Sequence, residues 1–355
     1  MPDQKPKILV FMLSRTGCIP YATNMVNALH GFEKSIFVSR YSPEVLPKDN
    51  HKIRTYRNSL EFVFNSLLNL PWLCIKVMKL VKTKGFRGAY FPVFHHWNPV
   101  LLLWCKIWGL EVVFTVHDGV LHQGEQHNWD QKMLNFCIRN ADKLVFLSRY
   151  VQELTREKIG FTAKTCIIPH PLLRIGSPVI KDRYLPERPS LLFLGRIVEY
   201  KGVDLLLEAL NGFPGDRLGQ VTIAGRNYSG FKPDKMGEVS VNWVGRWLED
   251  TEIDDLLNSH DILVLPYREA SQSGIVTLGI GAAIPMICTN VGGLPEQLTP
   301  EQAVFIAPEA FALKKAILDL INDPERYRNI HQNLLARARS GEGEYTGRLA
   351  TFLSD

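Results

Sequence analysis

The sequence predicts an α/β chain of two doubly wound parallel-sheet domains facing one another. Three observations predict it. The chain has 355 residues with 46% hydrophobic content, more than one comfortable core holds. Short apolar runs rich in Val, Ile and Phe alternate with helical stretches. The same order then restarts after a break rich in Pro and charge.

In the first half the runs are KILVFML, KSIFVSR, GAYFPVF, EVVFTVHD, KLVFLS and TCIIPH, short and β-branched enough for buried parallel strands. The stretch RIGSPVIKDRYLPERPS has neither helical nor alternating period. It is read as a linker, 174–189, between domains of residues 1–173 and 190–355. The order then repeats as SLLFLGR, GQVTIAGR, SVNWVGR, DILVLPY, IPMICTN and AVFIAP. Between these strands Val203, Leu206, Leu207 and Leu210 mark one helix, and Leu313, Ala316, Ile317, Leu320 and Ile321 another.

The net charge of +5 is unevenly spread: residues 1–173 carry 22 Lys+Arg against 12 Asp+Glu, and residues 174–355 carry 19 against 24. A basic half suits an anionic partner or simply a solvated surface. Cys18, Cys74, Cys105, Cys137, Cys166 and Cys288 form no C-x-x-C pair, and read as buried thiols of a reducing cytosol. MPDQKPKILVFML enters a strand without an apolar signal region, so export is not expected. The longest apolar stretch, VFNSLLNLPWLCIKVMKLV, is broken by Asn, Pro and Lys, and no bilayer span is expected. From Trp72 to Arg87, Trp72, Leu73, Val77 and Leu80 interleave with Lys76, Lys79, Lys82, Lys84 and Arg87. Two readings fit: a core helix with a basic solvated face, or a helix lying on an anionic membrane surface.

Open α/β sheets bind ligands beyond the carboxyl ends of their strands. FLGRIVEYKGVDLLLEAL, 193–210, is there a strand end, a polar turn and a helix start. Gly195 permits a tight exit, and Arg196 and Lys201 flank a helix N-terminus, where free N–H groups and the dipole favour an anion. A planar fork and a compact ammonium suit a diphosphate; the plain alternative is a solvated turn. In LPYREASQSGIVTLGIGAAIP, 265–285, Ser271, Gln272, Ser273, Gly274 and Ile275 open an apolar helix, with small residues that admit a ligand to the backbone and a serine able to cap. VVFTVHDG ends a strand at His117 and Asp118, and PVFHHWNP places His95 and His96 after the preceding one. Adjacent histidines seldom share one ion and no further ligand completes a set, so no metal is expected. SRTGCIPYATNM carries Gly17 without G-x-G-x-x-G, which argues against a dinucleotide-binding dehydrogenase.

These motifs, with WVGRWLEDTEIDDLLNSHDILVLPY and IPMICTNVGGLPEQL in the same order and spacing, resemble the large retaining glycosyltransferase group with the GT-B fold. That group (group 1) includes bacterial glycogen synthase-like and polysaccharide-assembly enzymes. The resemblance is strongest over residues 190–325. It implies that Gly195, Arg196, Lys201 and the 271–275 turn bind a nucleotide-sugar donor. It also implies that His117 approaches the sugar, that Thr16, Gly17, His95, His96 and Asp118 lie on the acceptor side, and that no cofactor is needed. Most members carry two Glu residues eight apart around this turn; Ser271 and Gly279 stand there, and Glu269 is the nearest carboxylate. The chain thus reads as an SQSG variant resembling exopolysaccharide transferases. The implied partners are a nucleotide-diphosphate sugar and a glycan or lipid-linked acceptor, without nucleic acid, in the cytoplasm or on the inner membrane face. A sugar-nucleotide epimerase of the same fold and a non-catalytic sugar-nucleotide-binding scaffold are the alternatives.

Overall fold

The computed structural model describes residues 5–15, 18–42, 50–122, 128–173, 182–231, 239–340 and 343–355. Two compact units emerge. One comprises Met1–Leu121, Gln126–Pro171 and Glu342–Asp355, the other His122–Glu125 and Leu172–Gly341.

The first unit holds a parallel sheet of β1 (Lys7–Met12), β2 (Glu33–Ser39), β3 (Asn50–Ile53), β4 (Gly88–Phe91), β5 (Glu111–Val116), β6 (Lys143–Phe146) and β7 (Lys164–Ile167), in the order β3-β2-β1-β4-β5-β6-β7. Its helices are α1 (Ile19–Asn27), α2 (Ser59–Lys84), α3 (Asn98–Ile107), α4 (Asn128–Asn140) and α5 (Arg149–Lys158). Alternation along each strand feeds two cores. Leu9, Phe11, Phe91 and Phe114 meet α2, α3 and α4 on one face; Val10, Met12, Tyr90 and Val113 meet α1 on the other.

The second unit repeats the plan with β8 (Leu191–Leu194), β9 (Val221–Ala224), β10 (Val241–Val244), β11 (Ile262–Leu265), β12 (Met286–Thr289) and β13 (Ala303–Ile306), in the order β10-β9-β8-β11-β12-β13. α6 (Val203–Leu210), α7 (Asp250–Ser259), α8 (Gly274–Gly281), α9 (Leu294–Gln297), α10 (Ala310–Ile321) and α11 (Pro324–Ser340) cover it. The last helix, α12 (Gly343–Ser354), belongs to the first unit.

All twelve expected strands form. β3, with the sequence NHKI at a sheet edge, carries no apolar run and has no counterpart in the sequence reading. Two other differences have physical reasons. Residues 342–355, expected in the second domain, join the first because Leu349 and Leu353 enter the core beneath α1. Within the expected linker, 174–181 lie outside the described residues, while Arg183 fixes its remainder to the second unit. The buried Arg183 guanidinium donates to the carbonyls of His260 (2.6 Å), Leu257 (2.7 Å) and Ala282 (3.3 Å), which offset part of the cost of burying its charge. Cys74, Cys105, Cys137 and Cys288 are buried, whereas Cys18 and Cys166 are only partly so.

α2 is, by length and composition, able to cross a membrane, against the expectation that its Asn, Pro and Lys exclude this. One side of it is nonetheless committed to the sheet. Leu73 and Val77, which the two readings place either in the core or on a membrane surface, are fully buried there.

Candidate functional site

Sheet order reverses between β8 and β11 in the second unit, opening a crevice at their carboxyl ends. The two motifs singled out from sequence follow these two strands. Leaving β8, Gly195 takes φ +129°, and after one turn of 3-10 helix Gly202 takes φ +65°. A Cβ on Gly202 would lie 1.9 Å from the Pro266 carbonyl oxygen, so only glycine lets the turn close against the end of β11 and start α6.

Between the glycines the cations are held by aromatic rings. Arg196 donates from Nη2 to the Tyr200 hydroxyl (2.9 Å), and Lys201 Nζ lies 3.9 Å from the Tyr267 ring centroid. Tyr267 is buried, and burial pushes its hydroxyl well above the usual phenol range, so a neutral ring faces the ammonium. Beyond Lys201, Asp204 takes a bidentate contact from Arg268 (2.7 and 2.5 Å), which ties the start of α6 to the segment after β11.

Ser271 and Ser273 are buried, and Gln272 carries an enclosed Oε1 without a partner. Ser273 is the N-cap residue of α8 but makes no side-chain cap, contrary to the capping expected of a serine there. Its Oγ pairs with the Tyr267 hydroxyl (3.3 Å), and its backbone is clamped by Gln297: Oε1 accepts from Ser273 N (2.7 Å), and Nε2 donates to Ser273 O (3.2 Å). Gly274 starts the helix, and Ile275 packs toward Gly195, whose Cβ would sit 3.5 Å from its side chain. The α8 N-terminus therefore borders the Arg196 turn, and together they offer two cations and a helix dipole to an anion.

Glu269 is half exposed, its Oε2 3.4 Å from His122 Nδ1, and His122 stacks on Tyr200 at 4.4 Å. Position 279 lies against the sheet: a Cβ on Gly279 would meet Met286 Sδ at 2.8 Å and Leu263 Cδ2 at 2.9 Å. A carboxylate there requires the Met286 and Leu263 side chains to move aside.

In the first unit the remaining candidates follow β4 and β5. His117 donates from Nε2 to the Pro92 carbonyl (2.8 Å), while its Nδ1 is enclosed. Burial opposes a charge on the ring, but Cys18, the Pro92 carbonyl and Asp118 outweigh it and raise His117 to about 9. Tyr21 meets the ring edge-on at 4.6 Å and approaches His170 at 5.3 Å; burial lowers His170 to about 4. His95 is enclosed, accepts from Trp97 N (3.2 Å), and is lowered by burial to about 3. His96 bridges the Tyr56 hydroxyl and Asp130 (2.8 Å), so the two adjacent histidines serve different partners. Thr16 and Gly17 lie outside the described residues.

Sequence reasoning passed over Tyr200, Tyr267, Gln297, His122 and Tyr21. Tyr200 directly precedes Lys201, and Tyr267 stands two residues beyond the end of β11, so both lie within the motifs read from the sequence, although their contacts with the cations do not follow from position.

Residues 188–323 match the family model "Glycosyl transferases group 1", and residues 21–172 match "Glycosyltransferase Family 4". The chain is 24% identical over 231 residues to a glycosyltransferase named for teichuronic acid biosynthesis in Bacillus subtilis, covering 59% of this chain and 56% of that protein. It spans a little over half the length of the curated relatives first matched (55% and 56%). Among solved structures, sucrose-phosphate synthase of Thermosynechococcus elongatus superimposes with TM-score 0.75 at 17% identity over 98% of each chain. Anabaena HepE in complex with UDP and glucose does so with TM-score 0.71 at 16% identity, over 98% of this chain and 99% of that one. At these identities the likeness establishes the GT-B fold alone.

Proposed function

On the premise that the chain is a glycosyltransferase of the group 1 type, which its two family matches support, we propose a retaining, metal-independent hexosyltransferase. It would move a sugar from a nucleotide-diphosphate donor to a hydroxyl of a glycan or lipid-linked saccharide. The observation that carries this reading is the pair Arg196 and Lys201, held on Tyr200 and Tyr267 beside the α8 N-terminus at the β8–β11 reversal.

The donor's diphosphate sits on these cations and the first-turn N–H groups of α8. As the glycosidic bond breaks, its electron pair passes to the leaving diphosphate, and cations already in place stabilise that charge more in the transition state than before it. The acceptor oxygen bonds the anomeric carbon from the same face, and a phosphate oxygen of the leaving group takes its proton, so configuration is retained. His117 serves the sugar's hydroxyls, with Asp118 supporting its proton; the acceptor side also draws on Thr16, Gly17 and His96, with His95 enclosed and holding the Trp97 backbone. Because side-chain cations and the helix end meet the diphosphate, EDTA is expected to leave the rate unchanged. The role is one in surface or exopolysaccharide assembly, on the inner face of the cell membrane, in keeping with the Bacillus relative's name.

The test sets transfer from a panel of radiolabelled nucleotide sugars beside calorimetric binding. Arg196→Ala and Lys201→Ala should weaken nucleotide binding, while His117→Ala should abolish transfer and spare binding. One observation favours a non-catalytic sugar-nucleotide scaffold: at Gly279, where the resemblance implies a carboxylate, a side chain would run into Met286 and Leu263. A wild-type chain that binds donors yet transfers to no acceptor would establish that reading instead.

A further inference from the structure

α2 has two apolar sides. Leu70, Leu73, Cys74 and Val77 pack on the sheet of the first unit. Leu60, Phe64, Leu67, Leu68, Trp72 and Ile75 follow each other at helical spacing on the opposite side and are all exposed, Leu60 by 85% and Leu67 by 70%. α3, tied to α2 by Trp104 Nε1 donating to the Cys74 carbonyl (2.7 Å), repeats the arrangement: Leu101, Leu102 and Cys105 face the core, and Val100, Leu103 and Ile107 are exposed. Scattered exposed apolar residues are ordinary on a protein surface. Stripes on two neighbouring helices are a patch, and a patch of this kind marks something that covers it.

The charge around it indicates what. The line through Leu68, Trp72 and Ile75 continues at i+4 and i+7 from Ile75 as Lys79 and Lys82, both exposed, and Arg87 follows beyond the helix. Lys76 lies with its ammonium 5.2 Å from the Trp72 ring, an apolar body beneath a charged head. Apolar side chains grading into cations along one helix face match a lipid layer, whose acyl boundary lies beneath anionic phosphates. The excess of ten positive charges over residues 1–173 has the same sign.

We propose that the outward face of α2 and α3 docks the chain on an anionic phospholipid membrane. The stripe from Leu60 to Ile75, with Ile107, enters the headgroup–acyl boundary, and Lys79, Lys82 and Arg87 contact lipid phosphates. α2 lies in the interface rather than crossing it, because crossing would pull Leu73 and Val77 out of the core. This deepens the lipid-linked acceptor of the proposed function, on which it rests only for its purpose, since lipid binding and nucleotide binding are read separately.

The experiment is flotation of the full chain with vesicles of phosphatidylcholine alone and with added phosphatidylglycerol. The wild type is expected to float with the anionic vesicles and to be released as salt rises. Leu60→Glu with Leu67→Glu should weaken that binding about tenfold or more, since each loses a buried apolar side chain. Lys79→Glu with Lys82→Glu should remove the preference for anionic vesicles. Both variants change exposed positions only, so melting temperature and affinity for a nucleoside diphosphate should be unchanged. A wild type that floats with neither vesicle, or floats equally well after Leu60→Glu with Leu67→Glu, overturns the proposal. So does a lipid-free dimer that the same double substitution dissociates, which would assign the face to a second copy of the chain. Loss of nucleotide binding in the wild type would count against the transferase reading and leave this one standing.

Discussion

Lys201 resting on the Tyr267 ring is a preorganised cation, because the ring restrains the ammonium before any ligand arrives. Tyr267→Phe keeps the ring and should leave the donor KM nearly unchanged, whereas Tyr267→Leu should raise it several-fold; steady-state kinetics on the two variants checks this. Gly202→Ala forces a left-handed residue against the Pro266 carbonyl and should destabilise the second unit by at least about 1–3 kcal/mol in denaturant titrations. The histidines of the first unit set a pH optimum of stability. His117 is raised to about 9, so its contribution is complete below the ordinary imidazole value near 6.5 and is lost as pH rises through about 9. His95 and His170 are lowered to about 3 and about 4, so theirs is complete above about 6.5 and is lost as pH falls toward those values. The melting temperature of the first unit should therefore peak near neutrality, and His95→Gln should flatten the acid side. Because transfer needs His117, its pH–rate profile should show a basic limb near pH 9.

At the scale of elements, the donor crest depends on α8 being held at its first residue. Gln297, on the short helix α9, does this with two hydrogen bonds to the Ser273 backbone. Gln297→Ala should weaken donor binding more than it lowers the melting temperature, because it frees the helix start while leaving the core of α8 in place. Gly279→Glu should behave oppositely and lower the melting temperature without improving donor binding, since the new side chain displaces Met286 and Leu263 in the core. The strands were legible because each central run is apolar on both faces, as a covered parallel sheet requires. α6 was legible for a related reason, its stripe Val203, Leu206, Leu207 and Leu210 being buried as the period implies. β3 was not, because NHKI at an edge needs backbone pairing rather than apolar side chains. The outward stripe of α2 was not legible, because a helix apolar on two sides gives no single periodic face; of the two readings open for residues 72–87, Leu73 and Val77 follow the core one. The contacts of Tyr200 with Arg196 and of Tyr267 with Lys201 were hidden, although both tyrosines lie inside the motifs, since turn closure does not follow from a linear reading.

The whole molecule repeats one parallel-sheet plan in two units, and its last helix belongs to the first of them. α12 covers the α1 face of the first sheet, where Phe352 also lies 5.7 Å from the ammonium of the buried Lys143. Truncation after Gly341 exposes the surface that Leu349 and Leu353 cover and should cost the first unit about 3 kcal/mol or more. Differential scanning calorimetry should then show its transition moving down while that of the second unit stays. Everything assigned to the second unit depends on a diphosphate between the Arg196 turn and the α8 N-terminus, and paired calorimetric titrations test this most directly. Wild type and Lys201→Ala are each titrated with a nucleoside diphosphate and with the corresponding nucleoside. The account predicts that the substitution weakens the diphosphate at least tenfold and leaves the nucleoside unchanged. Equal affinities for the diphosphate in the two proteins would contradict it.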